Sequence, residues 1–141
     1  MIAFVDTSVL VRRYLDEAGS DRVRALFRGH RETAVSRLTF IELCAAVARS
    51  CHFGVISISQ RDAILSRLPT DLGESTVVEL KRTLLDHAAE LVRLHPLRAA
   101  DAIQLASCLS IRAQGSAVEL LSADAELLAA ARAEGLKTVA L

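Results

Sequence analysis

The chain has 141 residues, of which 52% are hydrophobic, and it carries 17 basic and 17 acidic side chains. This length suits one domain with a buried core, so we expect a single domain over residues 1–141. A net charge of zero does not indicate a nucleic-acid-binding protein. The sequence has no apolar run long enough to span a membrane. Because MIAFVDTSVL lacks the basic region and cleavage site of a signal peptide, we expect a cytoplasmic protein without membrane association.

The first half of the chain alternates short apolar segments with longer segments of helical periodicity. It predicts, in chain order, strand 2–5, helix 8–17, helix 20–29, strand 33–36, helix 38–53 and helix 57–68. Ser20 is the expected N-cap of the second helix, and Pro69 is expected to end the helix over 57–68.

The second half of the chain continues this alternation. It predicts strand 75–80, helix 81–94, helix 97–113, strand 117–121, helix 124–135 and strand 137–141. Pro96 stands at the expected start of the helix over 97–113, where a missing N–H group does no harm. Short apolar strands that alternate with helices are typical of an α/β fold, so we expect a short parallel β-sheet flanked by helices on both faces.

Two carboxylates stand in helical segments that are otherwise apolar. Glu42 lies in FIELCAAVA, and Asp101 lies in AADAIQLA. A lone carboxylate taken out of water costs several kcal/mol unless a neighbour pairs with it. Neither residue stands at a predicted helix start, so helix capping does not explain them. A local ion pair between Arg98 and Asp101 would account for Asp101 alone.

Two further acids follow predicted strands. Asp6 comes directly after the strand over 2–5, and Asp124 lies three residues beyond the strand over 117–121. Each of them could simply cap the helix that follows it. The carboxyl ends of parallel strands are, however, where α/β folds bind ligands.

The four acids together suggest a cluster formed by four separate elements. Carboxylates packed together repel one another, and a divalent cation removes that repulsion. An all-oxygen ligand set without His or Cys favours Mg²⁺ or Mn²⁺ over zinc. Such a cation activates water and stabilises the negative charge that develops on a phosphodiester during hydrolysis.

Four segments of the sequence resemble the PIN-domain family in its VapC toxin form. They are FVDTSVL, TFIELCAA, HPLRAADAIQLA and LLSADAELLAAARAEGL, and the resemblance covers almost the whole chain. The resemblance implies a PIN-like fold with metal-binding acids at Asp6, Glu42, Asp101 and Asp124. It also implies that Ser122, two residues before the last acid, and Ser8, in the first motif, support the site.

The resemblance further implies an activity and partners. It predicts a Mg²⁺- or Mn²⁺-dependent endoribonuclease, the toxin of a toxin–antitoxin pair, held inactive by an antitoxin encoded nearby. It also predicts a homodimer, and we expect the apolar segment VLVRRYL and the helices over 38–53 and 57–68 to form the dimer interface. The alternative is a catalytically silent PIN scaffold that binds RNA or a partner protein. A dehalogenase-like phosphatase is disfavoured because Ser8 stands where that group needs a second Asp.

Several other polar residues leave more than one interpretation open. The N-terminal arginines could bind an RNA backbone, bind acidic residues of an antitoxin, or form a solvated helix face; they are Arg12, Arg13, Arg22, Arg24 and Arg28. The four histidines are expected at the surface or at helix ends; they are His30, His52, His87 and His95. The three cysteines have no metal-binding spacing and are expected to be buried and reduced; they are Cys44, Cys51 and Cys108.

Overall fold

A computed structural model describes residues 1–29 and 31–141, so His30 lies outside the described residues. The strands in this part of the chain are β1 (Ile2–Val5), β2 (Thr33–Ser36), β3 (Thr76–Val78), β4 (Val118–Ser122) and β5 (Lys137–Ala140). The helices are α1 (Thr7–Leu10), α2 (Ser20–Arg28), α3 (Leu38–His52), α4 (Ile58–Leu72), α5 (Arg82–Leu94), α6 (Ala99–Ala113) and α7 (Ala125–Ala133). A 3₁₀ turn over Val11–Arg13 follows α1. In the described residues, no helix has the length and apolar character needed to cross a bilayer.

The strands form one parallel sheet in the order β3-β2-β1-β4-β5. The chain adds β2 and β3 on one side of β1 and then returns to add β4 and β5 on the other side. The strand order therefore reverses next to β1, and such reversals create a crevice at the carboxyl ends of the strands. Asp6 directly follows β1 at this point, and its backbone N–H donates to the carbonyl of Leu121 in β4 at 3.0 Å.

Helices cover both faces of the sheet, as the sequence predicted. Successive residues of a strand point to opposite faces, and β1 divides accordingly. Phe4 packs with apolar residues of α5, α6 and α7, whereas Ala3 and Val5 pack with residues of α1 to α4. All three residues are fully buried, which explains why β1 is apolar throughout rather than alternating.

The first predicted helix, over 8–17, is too long, and Ser20 is not an N-cap. Regular helix ends at Leu10, and Gly19, with a φ of 88°, occupies the cap position before α2. The Ser20 hydroxyl instead closes the loop before α2. It donates to the carbonyl of Leu15 at 3.1 Å and accepts from the N–H of Glu17 at 2.9 Å.

The prediction that Pro69 ends the fourth helix is wrong. A capping box between Ser57 and Gln60 begins α4, which continues through Pro69 to Leu72. A proline inside a helix costs about 3 kcal/mol. Burial of a leucine contributes roughly 1.5–3 kcal/mol, and both Leu68 and Leu72 are buried. Packing of the last turn against the core therefore outweighs the local cost of the proline.

The expected start of the helix over 97–113 is also wrong. Regular helix begins at Ala99, and Arg98 is the residue before it, with extended backbone. Pro96 lies in the segment that joins α5 to α6, where the N–H of Leu97 donates to the carbonyl of His95 at 2.8 Å. The other predicted elements are present with boundaries shifted by a few residues.

Candidate functional site

All four predicted acids line one pocket of about 320 Å³ at the carboxyl edge of the sheet. Asp6 follows β1, Glu42 lies in α3, Asp101 lies in the first turn of α6, and Asp124 precedes α7. The pocket is completed by Thr7, Ser8, Val11, Ala45, Ala46 and Arg49. Residues far apart in sequence therefore meet where the strand order reverses.

Asp6 is buried, with 6% of its surface exposed, and is held by two hydroxyl groups. Its Oδ2 accepts from Ser8 Oγ at 2.6 Å and from Ser122 Oγ at 2.9 Å. Asp6 occupies the cap position of α1, but its side chain makes no capping hydrogen bond. Burial raises the pKa of Asp6, the two hydroxyl donors oppose this, and the charge of Glu42 raises the pKa further. The two serines therefore contact this acid directly, and capping does not explain its side chain.

Glu42 is held by neutral donors. Its Oε1 accepts from Thr7 Oγ1 at 2.8 Å and from Gln104 Nε2 at 2.8 Å. Gln104 Nε2 also lies 3.0 Å from the hydroxyls of Thr7 and Thr39. Gln104 and Thr39 are buried, so a polar cluster from α1, α3 and α6 fixes one oxygen of Glu42. No sequence motif indicates a role for Thr7, Thr39 or Gln104. The one signal in the sequence is a glutamine three positions after Asp101 in an otherwise apolar helix.

Asp101 is half-buried, and no Lys, Arg or His nitrogen among the described residues lies within 4 Å of its carboxylate. The expected alternative, an ion pair with Arg98, is therefore not formed. Burial raises the pKa of Asp101, the charges of Asp124 and Asp6 raise it further, and the backbone N–H and charge of Arg98 oppose this shift. The carboxylate therefore lies among like charges, and Arg98 acts on it without forming an ion pair.

Asp124 caps α7, which is one of the two roles that the sequence left open for this residue. Its Oδ1 accepts from the N–H groups of Glu126 at 2.9 Å and Leu127 at 3.1 Å. Its own N–H donates to Ser122 Oγ at 3.0 Å. Ser122 thus joins Asp6 to the turn that carries Asp124. Capping does not exclude a second role, because these bonds involve only one carboxylate oxygen.

The chemistry of the pocket fits a hard divalent cation. The acids supply only oxygen donors, and Arg49 is the one cationic side chain among the described residues that line the pocket. Burial, with a smaller contribution from neighbouring acids, raises the pKa values of Asp6 and Asp101, so a bound cation would offset the cost of keeping both carboxylates ionised. Within residues 1–29 and 31–141, however, no three His, Cys, Asp or Glu side chains are arranged to hold a metal ion as they stand.

The remaining candidates lie away from this pocket. Arg13, Arg24 and Arg28 line a separate pocket together with Arg67. The histidines within the described residues do not line the acidic pocket, and His95 contacts Glu134 at 2.7 Å. Of the cysteines, Cys108 is buried and the other two are half-buried. Burial raises the pKa of the Cys108 thiol to about 12.

The fold and the acidic pocket can be compared with known proteins. A family model described as PIN domain matches residues 3–133. Ribonuclease VapC45 of Mycobacterium tuberculosis is 34% identical over 137 residues, which cover 96% of this chain and 93% of that protein. The chain therefore belongs to the PIN domain family, as the sequence motifs predicted.

Solved structures share the same fold at lower identity. M. tuberculosis VapC20, described as a toxin that cleaves the sarcin–ricin loop, has a TM-score of 0.72 and 18% identity, with 99% of each chain covered. A toxin–antitoxin complex from Klebsiella pneumoniae has a TM-score of 0.65 and 19% identity, with 90% of each chain covered. These two likenesses establish the architecture.

Proposed function

We propose that this protein is an endoribonuclease, the toxin of a toxin–antitoxin pair, and that it uses Mg²⁺ or Mn²⁺. The observation that carries the proposal is the meeting of four carboxylates from four elements in one pocket, where the described lining residues include a single cationic side chain. The similarity to a relative named as a ribonuclease over 96% of this chain supports the same activity. The likeness to a chain of a toxin–antitoxin complex supports an antitoxin as the partner.

We assign the metal to Asp6, Glu42, Asp101 and Asp124. A divalent cation held by these residues would lower the pKa of water and offset the negative charge on the phosphodiester. Ser8 and Ser122 orient Asp6, and Thr7 and Gln104 orient Glu42. Asp101 and Asp124 are only half-buried, so they remain accessible to a bound substrate.

Replacement of Asp101 by Asn tests the metal site. Asp101→Asn keeps the side-chain shape and removes the charge, so RNA cleavage by purified protein should fall by orders of magnitude. Stability without metal should stay level or rise, because like charges no longer crowd one another. The rise in melting temperature on adding Mn²⁺ should shrink, since that stabilisation comes from binding to the native state.

The matched control is Asp86→Asn, which removes an exposed carboxylate from α5. Asp86→Asn should cleave RNA and respond to Mn²⁺ as the wild type does. Wild-type cleavage rates in Asp101→Asn would rule out Asp101 as a catalytic metal ligand. If the purified wild-type protein cleaves no RNA with either metal, the chain is a binding scaffold instead.

A further inference from the structure

Arg49 stands in the acidic pocket without an acidic partner. It lines the same pocket as the four carboxylates. No Asp or Glu oxygen within residues 1–29 and 31–141 lies within 4 Å of its guanidinium. Many arginines elsewhere in the protein do form ion pairs, such as Arg24 with Asp16 at 2.6 Å. Arg49 is therefore exposed to solvent beside negative charges and is not held by any of them.

The geometry of α3 directs Arg49 along the pocket. Glu42, Ala45, Ala46 and Arg49 all line the pocket, at the spacing of one helix face. Side chains on a helix lean toward its N-terminus, so we expect Arg49 to extend over the two alanines toward Glu42. The alanine methyl groups leave open space there. Seven residues correspond to a rise of about 10 Å, which is too far for the direct side-chain pairing seen at a spacing of four.

The charge balance of the pocket indicates a role for the Arg49 guanidinium. An RNA phosphate that enters a pocket with four carboxylates is repelled. One divalent cation offsets only two of those charges, so a further cation is required to attract the substrate. We propose that Arg49 binds a backbone phosphate of the RNA substrate in this pocket. The inference rests on the proposed ribonuclease function and names a substrate-binding residue for it. A guanidinium suits this role because it donates two parallel N–H bonds to phosphate oxygens.

RNA binding at varied salt concentration tests this assignment without relying on cleavage. The probe is a fluorescein-labelled single-stranded RNA of mixed sequence, followed by anisotropy in EDTA. Arg49→Gln should weaken binding by about tenfold, as expected for the loss of one charge-assisted contact. The slope of log affinity against log salt should become shallower by about 0.7, the value for one phosphate contact on a single strand.

Two further variants sharpen the test. Arg49→Lys keeps the positive charge but loses the two parallel N–H donors of the guanidinium. The salt slope should therefore return to the wild-type value, while the RNA affinity recovers only in part. Arg82→Gln removes an arginine that is 94% exposed on α5 and should match the wild type. In Mg²⁺, Arg49→Gln should raise KM for RNA cleavage much more than it lowers kcat. Its Mn²⁺ affinity should equal or exceed that of the wild type, because a positive charge has been removed from the pocket.

The outcomes separate this inference from the proposed function. If Arg49→Gln has the wild-type salt slope and KM, Arg49 does not bind RNA, while cleavage that depends on Asp101 still stands. If Arg49→Gln binds Mn²⁺ more weakly, Arg49 supports the acids structurally and the inference is wrong. Loss of antitoxin binding with unchanged RNA binding would also overturn it. Wild-type cleavage in Asp101→Asn would contradict the metal site and leave the binding result untouched.

Discussion

The side chain of Gln104 lies in the protein interior with 1% of its surface exposed, yet its tip is entirely polar. Its Nε2 lies within 3.0 Å of acceptors on Thr7, Thr39 and Glu42, although an amide has only two N–H bonds to share. Its Oε1 is buried and has no hydrogen-bond partner among residues 1–29 and 31–141. A buried polar atom without a partner is costly. This arrangement is therefore better explained by the position it gives Glu42 than by a gain in stability.

Removal of the Gln104 amide should weaken both folding and metal binding. In Gln104→Leu, Glu42 and two threonine hydroxyls lose a donor, so the free energy of unfolding in urea should fall by about 1–3 kcal/mol. Mn²⁺ affinity should fall by about tenfold to a hundredfold, as for other residues that orient metal ligands. The control is Gln114→Leu, at the exposed end of α6. Unchanged Mn²⁺ affinity in Gln104→Leu would mean that the amide does not position Glu42.

At this scale the sequence indicates the acids and, through the family resemblance, the two serines that contact Asp6, but not the donors that hold Glu42. Asp6 and Asp124 are recognisable because they follow apolar strands, and Glu42 and Asp101 because they interrupt apolar helices. The donors to Glu42 come from α1 and α6. Their meeting depends on how those helices pack, which no local pattern contains. The same is true of Arg98, for which the sequence suggested an ion pair with Asp101 that the fold does not form.

At the scale of secondary-structure elements, α4 shows a local rule overridden by packing. Its first turn follows sequence rules closely, since Ser57 and Gln60 form a reciprocal capping box. Its end does not, because Pro69 lies inside the helix. The sequence around Pro69 contains a strong stop signal. Only the position of the core explains why the last turn persists to bury Leu68 and Leu72.

Replacement of Pro69 should therefore stabilise the protein. Pro69→Ala restores a backbone N–H and removes a steric clash worth about 3 kcal/mol. The gain is partly offset by about 1 kcal/mol, because the unfolded chain becomes more flexible. The free energy of unfolding in urea should rise by roughly 2 kcal/mol as the balance of these effects. A fall in stability would mean that the proline shapes the packing of α4.

The second proline provides the comparison. Pro96 lies between α5 and α6, outside regular helix. Pro96→Ala should lower the free energy of unfolding by about 0.5–1 kcal/mol, because it only loosens the unfolded chain. If the free energy of unfolding rises in Pro69→Ala and falls in Pro96→Ala, the destabilising effect of Pro69 comes from its position inside a helix and not from proline itself.

For the molecule as a whole, the alternation of strands and helices predicts the fold class correctly. Both faces of the sheet are covered, and β1 is apolar because it packs on each of them. The same alternation does not predict the order of the strands in the sheet. β1 pairs with β2 on one side and with β4 on the other, and the second pairing joins segments more than a hundred residues apart. The hydrophobic pattern does not indicate which distant strands pair with each other.

The predicted homodimer requires exposed apolar residues that could form an interface. The segment VLVRRYL was expected in a dimer interface, but Val9 and Leu10 are buried in the core. Exposed apolar residues lie at the other two expected segments, at the end of α3 and the start of α4, where Phe53 is 79%, Val55 is 73% and Ile58 is 63% exposed. Apolar surface of this kind is typical of protein interfaces. We propose that it contributes to a homodimer.

Light scattering with size-exclusion chromatography tests this proposal. The wild type should elute as a dimer at a concentration of about 10 µM or above, a range in which weak dimers form. Phe53→Glu should elute as a monomer, because it places a charge in the apolar contact. Leu94→Glu, at an exposed position on α5, should remain dimeric. A monomeric wild type at these concentrations would contradict the prediction.

The hydrogen bond between Asp6 and Ser122 joins positions 116 residues apart, and Asp124 lies just beyond. During synthesis, Asp6 leaves the ribosome long before the partners that complete its pocket. A nascent chain, or a product released early from a stalled ribosome, lacks both the Ser122 hydroxyl, one of the two that hold Asp6, and the fourth acid. If the protein acts on RNA as proposed, the translation machinery that makes it is therefore exposed to no complete active site until the segment with Ser122 and Asp124 has emerged and folded against Asp6.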